Sequence, residues 1–336
     1  MQKITRQFFQ LLLWTLVAVG LVYLTFRDRS LADLLSAMRQ ADPFWVGMSA
    51  VALFFVLLFR AMRWKIMLES AGHPSTARNT MISTLICYLV NSLTPKLGEV
   101  VRCSVLLRTD KVPVAVSLGT VVSERVLDIL ILFGGLGMVI VLESKRLGGI
   151  FTQMAHQVSA SLSPAGIAII SILMAGGLLI GWYVITHRYN NNNGLMYRVQ
   201  TFARSTVESA KSVFSLNKPG LFILHTILIW IALVLMNYFF LLALPETQHL
   251  SVYYAFVLLF IGGLGWAMPV PGGIGTTHYL VLQVFLALGL SGAAGQDVGL
   301  LSNAATFIFT ILYGIAGWIG YIPYFRPSAE ANPASH

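Results

Sequence analysis

Apolar runs of bilayer-crossing length recur from one end of the chain to the other. A hydrocarbon core about 30 Å thick admits only backbones that satisfy every N–H and C=O internally, so such runs restrict the fold to helices or a closed barrel. The runs lie at 8–26, 44–62, 112–142, 162–186, 220–244 and 298–322 and are apolar at most positions; each approaches or exceeds the roughly 20 residues a spanning helix needs. Only 10% of residues are charged, against about 25% in soluble domains. The expected fold is an all-α polytopic membrane protein with about six full transmembrane helices. Trp45, Trp64, Trp182, Tyr183, Tyr321 and Tyr324 fall near the expected ends, as interfacial aromatic belts do. The first run ends in "YLTFRDR" with no small-residue cleavage site, so it reads as a retained helix and not as a signal peptide. A single transmembrane domain over 1–336 follows, with a first half 1–161, a second half 162–326 and a flexible tail 327–336.

Two further apolar segments are interrupted: 79–107 by "TPKLGE" and 252–290 by "PVPGGIG". Lys and Arg alternate between loops, sixteen on one side, Arg60 and Arg63 in a loop over 60–78 among them, and five on the other, with Arg125 alone within a span, which places both termini in the cytoplasm; a bacterial inner membrane is the expected setting. With six full spans, this arrangement closes only if the two broken segments are oppositely oriented hairpins, an inverted repeat. Two complete crossings per segment would leave the charge count unchanged. The arms of the first, about 15 and 11 residues, fall short of a crossing at 1.5 Å per residue, while those of the second, about 17 and 19, leave re-entrance or full crossing open. Irregular backbone at membrane depth is tolerated only against protein or a water-filled cavity. Both tips are therefore expected near the centre, with helices restarting at about Glu99 and Thr276 and offering their N–H groups to an anion.

"SERVLD" places Glu124, Arg125 and Asp128 about 18–24 Å along a helix starting near Val112. Each ionisable group at the bilayer centre costs on the order of 2.5–3.5 kcal/mol, so the three must face inward. Glu124 and Asp128 share a face and need a basic partner. Arg125 points obliquely to them, and Arg102, three residues from Glu99 in "GEVVR", is the better candidate. These groups read either as a phosphate-binding cluster or as an internal salt-bridge tether. His278 reads as an interior hydrogen-bonded histidine or a proton relay, and His225 as structural. Asn91 and Asn303 are polar residues in apolar helices, where interhelical bridging is the usual role. Cys87 and Cys103 lack metal or disulfide spacing. The excess of 22 Lys and Arg over 13 Asp and Glu is spread over short loops, which excludes a nucleic-acid-binding domain. No HExxH, P-loop, GxSxG or Rossmann pattern occurs, so neither an enzyme nor a metal or other cofactor is expected.

The motifs "NSLTPKLGEVVR", "SERVLD" and "PVPGGIGTTHYL", with "RAMRWKIMLESAG" at 60–72, resemble the lysylphosphatidylglycerol synthase transmembrane-region family, also called flippase-like membrane proteins, over roughly 45–322. The resemblance implies movement of anionic or aminoacylated phospholipids, or of polyprenyl-phosphate lipids, between leaflets. By position it implies roles for Gly98, Glu99 and Arg102, for Glu124, Arg125 and Asp128, and for Pro271 to Gly275. His278 stands where family members often carry glutamate, which leaves the headgroup preference open. The soluble transferase domain of the full synthases is not seen in this sequence, so the chain is not expected to make the lipid.

The leading expectation is a lipid translocase whose midplane cavity binds membrane lipids through Asn91, Glu99, Arg102, Glu124, Arg125, Asp128, Gly272, Gly273, Gly275 and His278, in a chain that can form a homo-oligomer. The alternative is a membrane-embedded transferase or accessory subunit acting on lipid-linked envelope precursors.

Overall fold

Caps and stops in the sequence decide where the helices begin and end. The computed structural model describes residues 19–94, 96–144, 215–268 and 270–325, and residues 201, 204 and 208 singly. A helical stretch over 19–26 leads to α1 (Leu31–Gln40), opened by a reciprocal capping box between Ser30 and Asp33. Asp42 then accepts from the Phe44 amide at 2.8 Å, and Pro43 occupies the first helical position, where its missing N–H is no loss. From there α2 (Pro43–Ser70) runs for 28 residues, about 42 Å. It stops at Gly72, whose φ of 79° lets His73 donate to the Leu68 carbonyl and Gly72 to that of Glu69, the paired bonds of a Schellman ending.

This length corrects the expected span of 44–62 with a loop from residue 60. "RAMRWKIMLES" contains good helix formers and no breaker, so Arg60 and Arg63 belong to the helix itself. Arg125 is therefore not alone among arginines within a spanning helix.

Three further long helices follow: α5 (Val114–Leu142), α6 (Pro219–Ala243) and α9 (Gly292–Tyr321). With α2 they make four helices, among the described residues, that are long and apolar enough to cross a membrane. The chain is a multi-pass membrane protein. The expected span 162–186, most of the run 8–26, the boundary between halves at 161/162 and the tail 327–336 lie outside the described residues.

Each interrupted segment is a pair of short helices: α3 (Ala77–Leu93) with α4 (Gly98–Thr109), and α7 (Val252–Ala267) with α8 (Thr276–Ala287). At 17, 12, 16 and 12 residues they reach only about 18–25 Å. The returning arm of the second pair is shorter than the 19 residues expected. Gly289, at φ 73°, ends it by a second Schellman pairing, Leu290 to the Phe285 carbonyl at 2.8 Å and Gly289 to that of Leu286 at 3.1 Å.

Packing gathers these pieces around one another. α2 lies along α6, α3 along α9, and α8 against both α7 and α9. The largest core, including Phe240, Leu241, Ala255, Val257, Phe285 and Val298, lies among α6 to α9 and takes in Leu136 and Val139 from the end of α5. On α5, by contrast, Val126, Ile129, Leu130 and Phe133 are exposed, as a lipid-facing side of a spanning helix is.

The two breaks meet. The turn Pro271–Gly273 packs on α3, and the Lys96 ammonium, on a left-handed backbone at φ 60°, donates to the Trp266 carbonyl at 2.9 Å. The first break is closed by Gly98, whose amide donates to Asn91 Oδ1 at 2.8 Å. A Cβ at Gly98 would stand 2.1 Å from the Cys87 carbonyl oxygen. Gly98→Ala is thus expected to cost about 1–3 kcal/mol by forcing the hairpin apart. Gly262→Ala, whose added methyl meets nothing nearer than 3.8 Å, should be close to neutral. Thermal unfolding in detergent compares the two, and equal stabilities would contradict the close packing of α3 on α4.

Candidate functional site

Glu124 stands at the centre of a charged cluster assembled from three helices. α2 contributes Arg60 and Arg63, three apart and so on one face; α4 contributes Glu99 and Arg102 with the same spacing; α5 contributes Glu124, Arg125 and Asp128. The Glu124 carboxylate is fully buried and lies 3.6, 3.1, 2.9 and 3.1 Å from the guanidinium groups of Arg60, Arg63, Arg102 and Arg125. Asp128 takes Arg60 at 2.7 Å and Arg63 at 2.8 Å, with Arg125 at 3.7 Å. Glu99 lies 2.9 Å from Arg102 and 3.7 Å from Arg125. Arg102 proves to be the close partner that the sequence suggested for Glu124.

The second side of the cluster is aromatic. The Arg102 guanidinium lies 4.5 Å from the centre of the Trp64 ring, a cation–π contact, and the indole N–H of Trp64 donates to Thr120 Oγ1 at 2.9 Å. The Arg63 and Arg102 side chains are 0% and 2% exposed, while Arg125 remains 38% exposed.

Four arginines against three carboxylates leave one positive charge. They also leave donors over. Nε of Arg60, Arg63, Arg102 and Arg125, and Nη1 of Arg63, are buried without an acceptor among the described residues. Glu99 Oε2, although within ion-pair distance of Arg102, is out of line for a hydrogen bond. Uncompensated buried donors are costly, and an anion with several oxygens is the chemical group that would satisfy them.

The second break supplies shape. Gly272, Gly273 and Gly275 have φ of 59°, 65° and 84°, which side-chain-bearing residues rarely adopt. The Gly273 amide donates to the Val270 carbonyl at 3.2 Å and that of Gly275 to His278 Nδ1 at 3.1 Å, so these two amides are engaged within the protein and do not face an anion. Thr276 Oγ1 donates to the Gly265 and Gly273 carbonyls, and Asn303 to that of Gly272 at 2.8 Å.

His278 is 5% exposed, its Nδ1 accepting a hydrogen bond and its ring edge-on to Phe26 at 5.5 Å. Asn91 and Asn303 brace one break each. Arg60, Arg63 and Trp64 were missed as members of the cluster. The signal was present, since two arginines three apart precede the first helix stop at Gly72. Among the described residues no group of three or more His, Cys, Asp or Glu side chains is arranged to hold a metal.

Residues 11–314 match the sequence profile described as "Lysylphosphatidylglycerol synthase TM region". Two similar proteins are archaeal. A UPF0104 membrane protein of Methanothermobacter thermautotrophicus is 23% identical over 315 residues, covering 88% of this chain and 89% of its own length. Another from Methanocaldococcus jannaschii is 25% identical over 304 residues, covering 84% and 87%. No solved structure matches.

Removing one member of a buried ion cluster strands the others at a cost of about 3–5 kcal/mol. Glu124→Gln is expected to lose stability on that scale. Arg125→Ala, at the open edge, should lose no more than about 1 kcal/mol. Unfolding curves in detergent distinguish the two; similar losses would mean that the network is not centred on Glu124.

Proposed function

The chain belongs to the lysylphosphatidylglycerol synthase transmembrane-region family, and on that premise we propose that it moves a phosphate-bearing lipid between leaflets by seating the headgroup at the arginine cluster while the acyl chains stay in the bilayer. One observation carries this reading: buried guanidinium nitrogens without an acceptor surround a cluster that holds one excess positive charge. A phosphate left in hydrocarbon would be prohibitively expensive. Guanidinium groups replace its water with fixed, paired donors.

Arg125 is the point of entry in this mechanism, because it is the exposed member and its contacts with Glu99 and Asp128 are loose, at 3.7 Å each. A phosphate arriving there exchanges those long contacts for shorter charge-assisted ones. Arg102, stacked on Trp64, and the fully buried Arg63 stay in place and hold the field. The short helix pairs, neither arm long enough to cross, act as re-entrant hairpins entering from opposite faces, and their contact at Lys96 and Trp266 closes the path at mid-depth. The basic side of the chain, with both termini, faces the cytoplasm.

The competing reading, that the cluster only fastens α4 and α5 to α2, makes a different forecast. Protein reconstituted into vesicles with a fluorescent phospholipid should speed the loss of protection from an external quencher. Arg125→Ala, chosen because it spares the fold, should slow this by about tenfold or more, the scale of one lost charge-assisted contact. Movement at the wild-type rate by a folded Arg125→Ala protein would leave the tether as the cluster's whole role.

A further inference from the structure

A fifth cation stands at the edge of the arginine cluster. Lys96 lies in the first break, three residues before Glu99, and its ammonium interacts electrostatically with both Glu99 and Arg125. Three residues of chain span at most about 11 Å, so the long side chains of Lys96 and Arg125 address the same space beside Glu99. Both are accessible there, Lys96 being exposed and Arg125 the open member of the cluster.

Three features of Lys96 need a reason. Its backbone, at φ 60°, is left-handed, a conformation that strains any residue with a side chain and that glycine adopts freely. Its ammonium has three N–H donors, and the one hydrogen bond it makes among the described residues goes to the Trp266 carbonyl, a neutral acceptor. Its charge also repels that of Arg125, and Glu99 relieves this little, because that carboxylate is already shared between Arg102 at 2.9 Å and Arg125 at 3.7 Å. Four arginines against three carboxylates leave one positive charge, and Lys96 raises the excess to two.

We propose that Lys96 and Arg125 together select a doubly charged phosphate, the head of a phosphomonoester or a diphosphate, over the singly charged phosphodiester. The inference rests on the reading of the cluster as a phosphate site and adds the charge of its ligand. A phosphomonoester carries about −1.5 to −2 at pH 7, so two excess cations meet nearly two negative charges and the occupied site is close to neutral. A diester leaves one cation unmatched in a poorly polarisable setting, where unpaired charge is expensive. The monoester also has three free oxygens, enough to take the two remaining donors of Lys96 as well as the Arg125 guanidinium, and a diester has one fewer.

Calorimetric titration of the full-length protein in an uncharged detergent, at about pH 8 and so above the second phosphate ionisation near 6, compares dihexanoyl phosphatidic acid with dihexanoyl phosphatidylglycerol. The monoester is expected to bind about tenfold or more tighter, the scale of one hydrogen bond between charged groups. Lys96→Gln should erase this preference, while Lys96→Arg, which keeps the charge, should retain it. Because the glutamine amide still offers an N–H to the Trp266 carbonyl, the comparison reports the charge and not the hairpin contact. Arg125→Ala should weaken both lipids. An equal concentration of sn-glycerol 3-phosphate identifies the source of the ester: competition marks a free phosphate ester and undiminished binding marks the lipid, with the preference for two charges expected in either case. Equal affinities in the wild type, or a preference that survives in Lys96→Gln, would overturn this inference and leave the phosphate site standing. Binding of neither lipid would remove both.

Discussion

A carboxylate with no access to water has to be held by cations, and the hold on Glu124 organises the first part of this molecule. Its four guanidinium partners come from α2, α4 and α5. The attraction between ions is strong where the surroundings are poorly polarisable, but so is the penalty for a partner that is missing. The three helices are therefore fixed relative to one another by a constraint that apolar packing alone would not impose. Since α4 is also the returning arm of the first hairpin, the same ions determine where the first break lies, and hence where Lys96 meets the second.

The two breaks contribute differently to the chemistry. A glycine-rich break followed by a helix is a familiar way to build an anion site from backbone amides, yet here the amides of Gly273 and Gly275 are used to hold their own turn. Positive charge comes instead from side chains on neighbouring helices. Guanidinium is well suited to supply it, because it keeps its proton in a dry setting and presents its donors in a fixed plane. The glycines permit the turn, and the arginines provide the field.

Much of this was legible in the sequence for reasons of cost. Apolar runs and their interruptions announced the spanning helices and the two hairpins, because a bilayer penalises irregular backbone severely. The spacing of Glu124 and Asp128 announced an inward face and a need for cations, and Arg102 was identifiable from its place three residues after Glu99. Arg60 and Arg63 were hidden by the logic of topology counting, in which an arginine after an apolar run marks a loop; only continuity of helix formers up to Gly72 tells otherwise. The hydrogen bond of His278 depended on which acceptor the Gly275 amide finds, a matter of tertiary geometry. The end of α8 at Ala287 was overridden in the reading by the apolar residues that follow it, although Gly289 carried the stop.

Lys96 gives the joined breaks a property that neither hairpin has alone. Its ammonium ties a strained turn in one hairpin to a carbonyl in the other. If that bond is made in one arrangement of the molecule and absent in another, its free energy enters the equilibrium of both hairpins equally. Displacing the first would then loosen the second, and displacing the second would loosen the first by the same amount, because such linkage is reciprocal. A lysine on one turn thus makes two separate helix pairs a single thermodynamic unit.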